Sequence, residues 1–390
     1  MSRPLRVLIT AGEISGDLLG GQLMAALKAL TNGNVVFSGV GGEHMAEEGL
    51  RSLFPIADIS VMGLVDILPR APTLLKRIDA TARHAAEFKP DVAVLIDVPG
   101  FNHRVAIRMR KYAPDVPIAI YVAPQVWAWR PGRARNMLNY TDHVLALLPF
   151  EPPFFAKAGL RCTFVGHPVV ERFPGLGLGM AFRTRHSIAP DAKVVAVLAG
   201  SRSKEVARLL PVFRDATATL AARHPGLVAV MPTIPHVEGA LRAAVQDFPV
   251  RAIVEPDVTQ KYAAFEAAHM AIAASGTVAL ELALARVPMV IAYKMDPVTA
   301  FYVRRVVTVE YACLINLIKN ASIVPELLQE RCTPETIVAA ADPLLTDERA
   351  RAAQLAALDD VRASLGLGGE APSVRAARAV LATVRAEAAS

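Results

Sequence analysis

Ala11-Gly12-Glu13-Ile14-Ser15-Gly16-Asp17 and Gly200-Ser201-Arg202-Ser203-Lys204-Glu205 are two glycine-flanked turns of the same type. Each follows an apolar run and opens a segment of helical character, and the two stand in opposite halves of the sequence. Glycine lets a backbone approach a ligand closely, and a helix N-terminus presents free N–H groups and partial positive charge. The duplication predicts two α/β domains of nucleotide-binding scale facing one another. Their charges differ: Arg202 and Lys204 predict that the second turn holds an anionic donor. Glu13 and Asp17 predict that the first faces a neutral or reacting group.

Working outward, strand-like runs alternate with helical ones. In the first half they are Arg6 to Thr10, Val35 to Val40, Val92 to Asp97, Ile118 to Ala123, His143 to Pro149 and Cys162 to Val165. They are short, apolar on both faces and rich in β-branched residues, the pattern of strands buried between helix layers. Helices are expected between them, as at Leu18 to Leu30 and Thr73 to Phe88. The segment at 173–179, with three glycines and a proline, breaks this rhythm and reads as an interdomain connection. The rhythm restarts with Val194 to Ala199, Leu227 to Pro232, Ala252 to Glu255, Met270 to Ala274 and Met289 to Tyr293. The fold class is therefore α/β: two Rossmann-like, doubly wound parallel sheets facing a cleft. The boundaries read as residues 1–172 and 190–345 for the two domains, 173–189 for the linker and 346–390 for a helical tail.

With 390 residues, 53% of them hydrophobic, the chain is long enough for two cores and too apolar for disorder. Its net charge of +6 comes from scattered basic residues with no aromatic-interleaved stripe, so nucleic acid is not expected as a partner. Three separated cysteines, Cys162, Cys313 and Cys332, form neither a disulfide framework nor a zinc motif. No signal-peptide core and no membrane span is read, which predicts a cytoplasmic location.

Four constellations carry chemistry. Asp97, in Ile96-Asp97-Val98-Pro99-Gly100-Phe101-Asn102, ends an apolar strand and could accept a proton from a bound hydroxyl, or else cap the following helix or bond loop amides. The turn Gly200, Ser201, Arg202 could cradle a phosphate or merely start a helix. In Ala274-Ser275-Gly276-Thr277-Val278-Ala279-Leu280-Glu281, hydroxyls and amides could hold a diphosphate while Glu281, one turn beyond Thr277, binds a ribose diol. Trp127 and Trp129, beside Arg130, suit a sugar face or an anion, and equally suit packing of the loop on the core.

Together the motifs at residues 11–17, 39–45, 96–102, 121–130, 147–151, 165–168, 200–202 and 274–281, with the region of Asn316, resemble the lipid-A-disaccharide synthase family. These are glycosyltransferases of GT-B architecture, and the likeness runs in order from about residue 5 to about residue 330. The resemblance implies transfer of 2,3-diacylglucosamine from its UDP carrier to 2,3-diacylglucosamine 1-phosphate, with inversion, giving the β-1,6 disaccharide of lipid A and UDP. That reaction belongs to lipopolysaccharide synthesis for the Gram-negative outer membrane. It implies Asp97 as base and Ser15, with Gly16, as positioning groups in the first turn. It also implies Gly200, Ser201, Arg202, Ser275, Gly276, Thr277, Glu281 and Asn316 on the UDP. No Asp-x-Asp signature is present and no metal or other cofactor is expected. Departures from the family pattern are Ala199 and Ile315, where proline is usual, and Gly100, which is acidic in some members and here leaves Asp97 the sole carboxylate of its motif.

A lipid substrate calls for a membrane-facing surface. Residues 60–78 offer Val61, Leu64, Val65, Leu68, Leu74 and Leu75 beside Arg70, Lys76 and Arg77, with Pro69 and Pro72 expected to prevent one continuous helix. The expectation is peripheral contact with the inner membrane; core packing is the alternative, and a homodimer is left open. Rival functions are another UDP-N-acetylglucosamine enzyme of the same architecture, a 2-epimerase or the peptidoglycan glycosyltransferase, or a non-catalytic nucleotide-sugar binding protein.

Overall fold

The computed structural model describes residues 3–60, 64–129 and 132–387. The chain divides into two compact units, Met1–Glu171 with Gly368–Ser390, and Arg172–Leu367. The first unit holds a parallel sheet of β1 (Leu5–Ala11), β2 (Val35–Val40), β3 (Val92–Ile96), β4 (Ile118–Tyr121), β5 (His143–Ala146) and β6 (Arg161–Phe164). The second holds β7 (Val194–Leu198), β8 (Val228–Pro232), β9 (Arg251–Glu255), β10 (Met270–Ala273), β11 (Met289–Tyr293) and β12 (Glu326–Leu328). The three-residue β12 is the strand that the sequence reading lacked; at that length alternation leaves no signal.

Strand order is β2-β1-β3-β4-β5-β6 in the first sheet and β12-β11-β10-β7-β8-β9 in the second. In each sheet the first strand of the unit has its sequence successor on one side and a later strand on the other. Winding therefore reverses between β1 and β3, and again between β7 and β10, and the helices that follow such a pair lie on opposite faces and leave a crevice at the strand ends. Register brings these ends level: Ala11 lies beside Ile96, and Leu198 beside Ala273. The Gly12 and Asp97 turns thus leave the first sheet side by side, as do the Gly200 and Ser275 turns in the second.

Both sheets are apolar on both faces, as the β-branched runs predict. Val92, Val94 and Ile96 pack on one side of the first sheet and Ala93 and Leu95 on the other, all fully buried. The helix Leu64–Phe88 runs through Pro69 and Pro72, correcting the expectation that the prolines divide it. Each proline forfeits one amide bond of the ladder, and the bonds of neighbouring residues carry the helix past it. Residues 173–189 do not hang free as a linker: Glu266 accepts the amides of Gly177 and Leu178 at 2.8 Å each, docking the segment onto the second unit.

The C-terminal residues are likewise not a separate tail. The helix Pro372–Glu387 returns to the first unit, burying Ala376, Ala377 and Val380 in the cluster that holds Leu19, Leu23 and Leu27. Its Thr383 meets His143 at 2.7 Å, and Arg375 donates to the carbonyl of Phe164 at 2.8 Å. Small residues on its inner face allow this close seating, which the Ala/Arg-rich composition concealed. Deleting residues 368–390 is expected to weaken the first unit by about 3 kcal/mol or more. Both tryptophans lie in that unit, so denaturant unfolding followed by tryptophan fluorescence reads it directly; an unchanged midpoint would refute the packing role.

Candidate functional site

At the switch point of the first sheet the backbone is strained. Asp97 and Val98 have φ of 51° and 43°, consecutive left-handed conformations. For β-branched Val98 this is a costly geometry, of order 1–3 kcal/mol per residue. Fully buried Asn102 clamps the turn: its Nδ2 donates to the carbonyls of Ile96 at 2.8 Å and Asp97 at 2.9 Å. Its Oδ1 accepts from the Thr10 hydroxyl at 2.6 Å. The Asp97 amide donates to Tyr121 O at 2.9 Å. Gly12 completes the fit, because a Cβ there would lie 2.9 Å from Val98 Cγ2.

This geometry removes one reading of Asp97, the helix cap, and leaves its carboxylate bonded to the Val98 amide of its own turn. The helix Pro99–Tyr112 has Val98 at its N-cap and no side-chain cap, so Asp97 does not cap it. Burial raises the Asp97 pKa above the ordinary carboxylate range, against a smaller opposing pull from the Val98 amide. A half-buried carboxyl with raised basicity at a strand end can take a proton from a bound hydroxyl. Asn102 holds the turn but carries no sequence signal for it; an asparagine three residues into a helix gives no local sign that it bonds backward to a strand end.

The first glycine turn differs from its expected electrostatics. Ser15 is exposed at the start of the helix Ile14–Leu30, but Gly16 is buried against Ala11 and Ile96 and serves helix packing. Asp17 is 3% exposed and accepts the amides of Gly42 at 2.6 Å and His44 at 2.9 Å, so its charge faces inward. Beside Asp97, Ile59, Ala71, Leu74, Leu75, Ile78 and Phe101 line a mostly apolar pocket of about 200 Å³ that also includes Val98, Gly100 and, as its one charged residue, Arg104.

In the second unit the paired turns enclose one pocket of about 470 Å³, within the range of small-ligand sites. Gly200, Ser201, Arg202 and Glu205 line it from the β7 end, and Ser275, Gly276, Thr277 and Glu281 from the β10 end. Lys261, Thr233 and Phe265, which no motif flagged, complete it. Lys261 Nζ lies 2.6 Å from Glu281 Oε1. The Gly200 turn is not an open phosphate cradle, however. Glu205 accepts the amides of Ser201 at 3.2 Å and Arg202 at 3.3 Å, the Arg202 guanidinium at 3.0 Å and the Tyr293 hydroxyl at 3.1 Å. Gly200 sits at φ 113°, where a Cβ would lie 2.7 Å from that carboxylate. Arg202 is still 68% exposed at its side chain and can turn to an anion.

Two other candidates are buried. Asn316 is fully buried with both ends of its amide engaged: Nδ2 donates to Val324 O and Glu326, and Oδ1 accepts from Ile323 and Val324 N–H. It does not line the pocket. Trp127 is 5% exposed, stands edge-on to Phe150 and donates to Glu151 at 3.0 Å, a packed position on the core. Burial pushes the Glu151 carboxyl up to about 7. Arg130 and Val61 lie outside the described residues, as do the side chains of Leu64, Val65 and Leu68. Of the remaining patch, Ile78 belongs to the core, Leu74 is partly buried against it, and Leu75 is 54% exposed.

Two switch-point sites on two parallel sheets define a protein of the GT-B class. The fold resembles a solved glycosyltransferase from Rickettsia africae (TM-score 0.61, 11% identity, 99% of each chain covered). It equally resembles a Neisseria meningitidis UDP-GlcNAc 2-epimerase solved with UDP-GlcNAc (TM-score 0.60, 12% identity, 98% of this chain and 100% of that one). Fold alone does not separate these activities; sequence does. Residues 7–379 match the model of the lipid-A-disaccharide synthetase family, and the chain belongs to that family. A lipid-A-disaccharide synthase from Rhodospirillum centenum is 52% identical over 379 residues, 97% of this chain and 94% of that one.

Asn102→Ala removes the clamp on the Asp97 turn. It is expected to cost about 2–4 kcal/mol of stability, from lost bonds and the Thr10 hydroxyl left unpaired. The fall in kcat should exceed what the unfolded fraction explains, measured by turnover beside denaturant melts; a folded variant with full kcat would refute the clamp.

Proposed function

We propose that the chain performs the family's transfer with Asp97 as general base and the second-unit pocket as the UDP site. The substrates are UDP-2,3-diacylglucosamine and 2,3-diacylglucosamine 1-phosphate. Asp97 takes the proton of the acceptor 6-hydroxyl as its oxygen forms a bond to the anomeric carbon of the donor sugar. The bond from that carbon to the UDP oxygen breaks, the configuration inverts, and UDP leaves. One in-line displacement needs one base and charge stabilisation of the leaving diphosphate, with no covalent sugar intermediate. Ser15, exposed beside the Asp97 turn, is assigned to positioning the reacting groups.

Arg202 and Lys261 supply positive charge to the leaving diphosphate, Ser275 and Thr277 their hydroxyls, and Glu281 the acceptor for the ribose. Asn316 and Trp127 are withdrawn from contact with the substrate. We assign no metal to the reaction. The apolar pocket beside Asp97 suits part of an acyl chain, and exposed Leu75 extends it toward a membrane surface. Among the described residues no helix is long and apolar enough to cross a membrane; peripheral attachment to the cytoplasmic face of the inner membrane is the placement we favour.

The observation that carries this reading is the raised, uncapping Asp97 on a strained turn at the switch point. Asp97→Asn should lower kcat by about 10²–10⁴-fold. In the wild type, kcat/KM should fall in acid around a pKa above the ordinary carboxylate value. The stability sign is opposite to the rate. Because folding raises this pKa, protonated Asp97 favours the native state at low pH, and that contribution is lost as pH rises through the folded pKa. The asparagine variant should therefore match or exceed wild-type stability at neutral pH while losing turnover, and stability loss in step with rate would sink the assignment.

For the donor site, Glu281→Ala should raise the donor KM about tenfold with the acceptor KM unchanged. The assay follows disaccharide and UDP release with and without a chelator, which should leave the rate unaltered. Equal effects on both KM values would remove Glu281 from the UDP site.

A further inference from the structure

The helix Pro297–Val306 in the second unit inverts the usual relation between sequence pattern and burial. Val298, Phe301, Tyr302 and Arg305 fall at i, i+3, i+4 and i+7, one face of the helix, the spacing by which a helix normally meets a core. Here that face points outward: Val298 is 80%, Phe301 61% and Tyr302 51% exposed, while Ala300 is the one residue of the helix that is buried. The helix is therefore seated through Ala300, with Val303 and Val306 partly covered, and leaves Val298, Phe301 and Tyr302 uncovered. Val307, just beyond it, is 37% exposed.

Basic groups flank this face. Arg305 sits 3.5 Å from the Phe301 ring centroid, Arg304 pairs with Glu330, and exposed Lys294 precedes the helix. An apolar strip ending in arginines matches the interface of an anionic bilayer, where rings enter the acyl boundary and guanidinium groups meet phosphates. A second copy of the chain fits less well, since a two-fold contact through this face would set arginine against arginine.

We infer that Pro297–Val306 is an interfacial helix that docks the second unit on an anionic membrane surface. This places a membrane contact outside residues 60–78, on the unit that carries the proposed UDP pocket. It rests on the lipid-substrate reading only for its purpose; the docking itself follows from the exposed face.

The experiment uses the full chain with vesicles of phosphatidylethanolamine and phosphatidylglycerol, and with vesicles of phosphatidylcholine alone. Replacing Val298, Phe301 and Tyr302 together by serine should lower the partition coefficient by about tenfold or more in co-sedimentation. Arg304→Gln with Arg305→Gln should weaken binding to the anionic vesicles and leave the neutral ones little changed. Turnover on detergent-dispersed substrates should stay at the wild-type level for both variants, showing that the fold is intact. Unchanged vesicle binding by the serine variant would overturn the proposal, as would a shift from dimer to monomer in size-exclusion chromatography with partition unaltered. Vesicle binding without disaccharide synthesis by the wild type would sink the function reading and leave this one standing.

Discussion

The reversal of winding beside the first strand of each sheet is the constraint on which the sites depend. Parallel strands joined by right-handed crossovers send successive helices to one face; when the next strand is added on the opposite side, the helices part and the strand ends open between them. In this chain that point falls between β1 and β3 and between β7 and β10. The Gly12 and Asp97 turns meet at one, the Gly200 and Ser275 turns at the other. Motifs separated by more than seventy residues become neighbours because two strand pairs end level.

At the first of these points the chain accepts local instability. Two consecutive left-handed residues, one of them a valine, follow a strand end that an asparagine clamps, its amide spent on Ile96, Asp97 and Thr10. The same turn keeps a carboxyl half buried, and that burial raises its basicity. Strain and desolvation both oppose folding here, and surrounding packing offsets them: β3 is fully buried and Gly12 lets Val98 seat against the first turn. Such a combination is common where geometry serves chemistry.

The electrostatic reading of the two glycine turns changed more than their placement. Sequence charge suggested one anionic turn and one cationic turn, but Asp17 of the first and Glu205 of the second are spent internally. Asp17 binds the amides at the start of the helix Glu43–Glu47, and Glu205 binds the amides and guanidinium of its own turn. A charge counted from sequence says nothing about which backbone groups it satisfies. Lys261 illustrates the converse, a cation outside every motif that reaches Glu281 across the pocket wall.

The α/β class, eleven of the twelve strands among the described residues to within a few positions, and the family were legible from residue order alone, because buried parallel strands are apolar throughout and short motifs in register are hard to meet by chance. Residue order also located the Asp97 and Ser275 turns, since strand ends followed by glycine and a helix start are local patterns. Only the tertiary structure decided what those residues do. It showed that Asp97 does not cap its helix, that Asn102 holds the turn, that Asn316 and Trp127 are inward-facing supports, and that the C-terminal helix returns to the first unit. Each of these turns on a partner far away in sequence, or on which side of a helix finds cover. Periodicity gives the stripe at Val298, Phe301 and Tyr302, but the body of the protein packs against the other side.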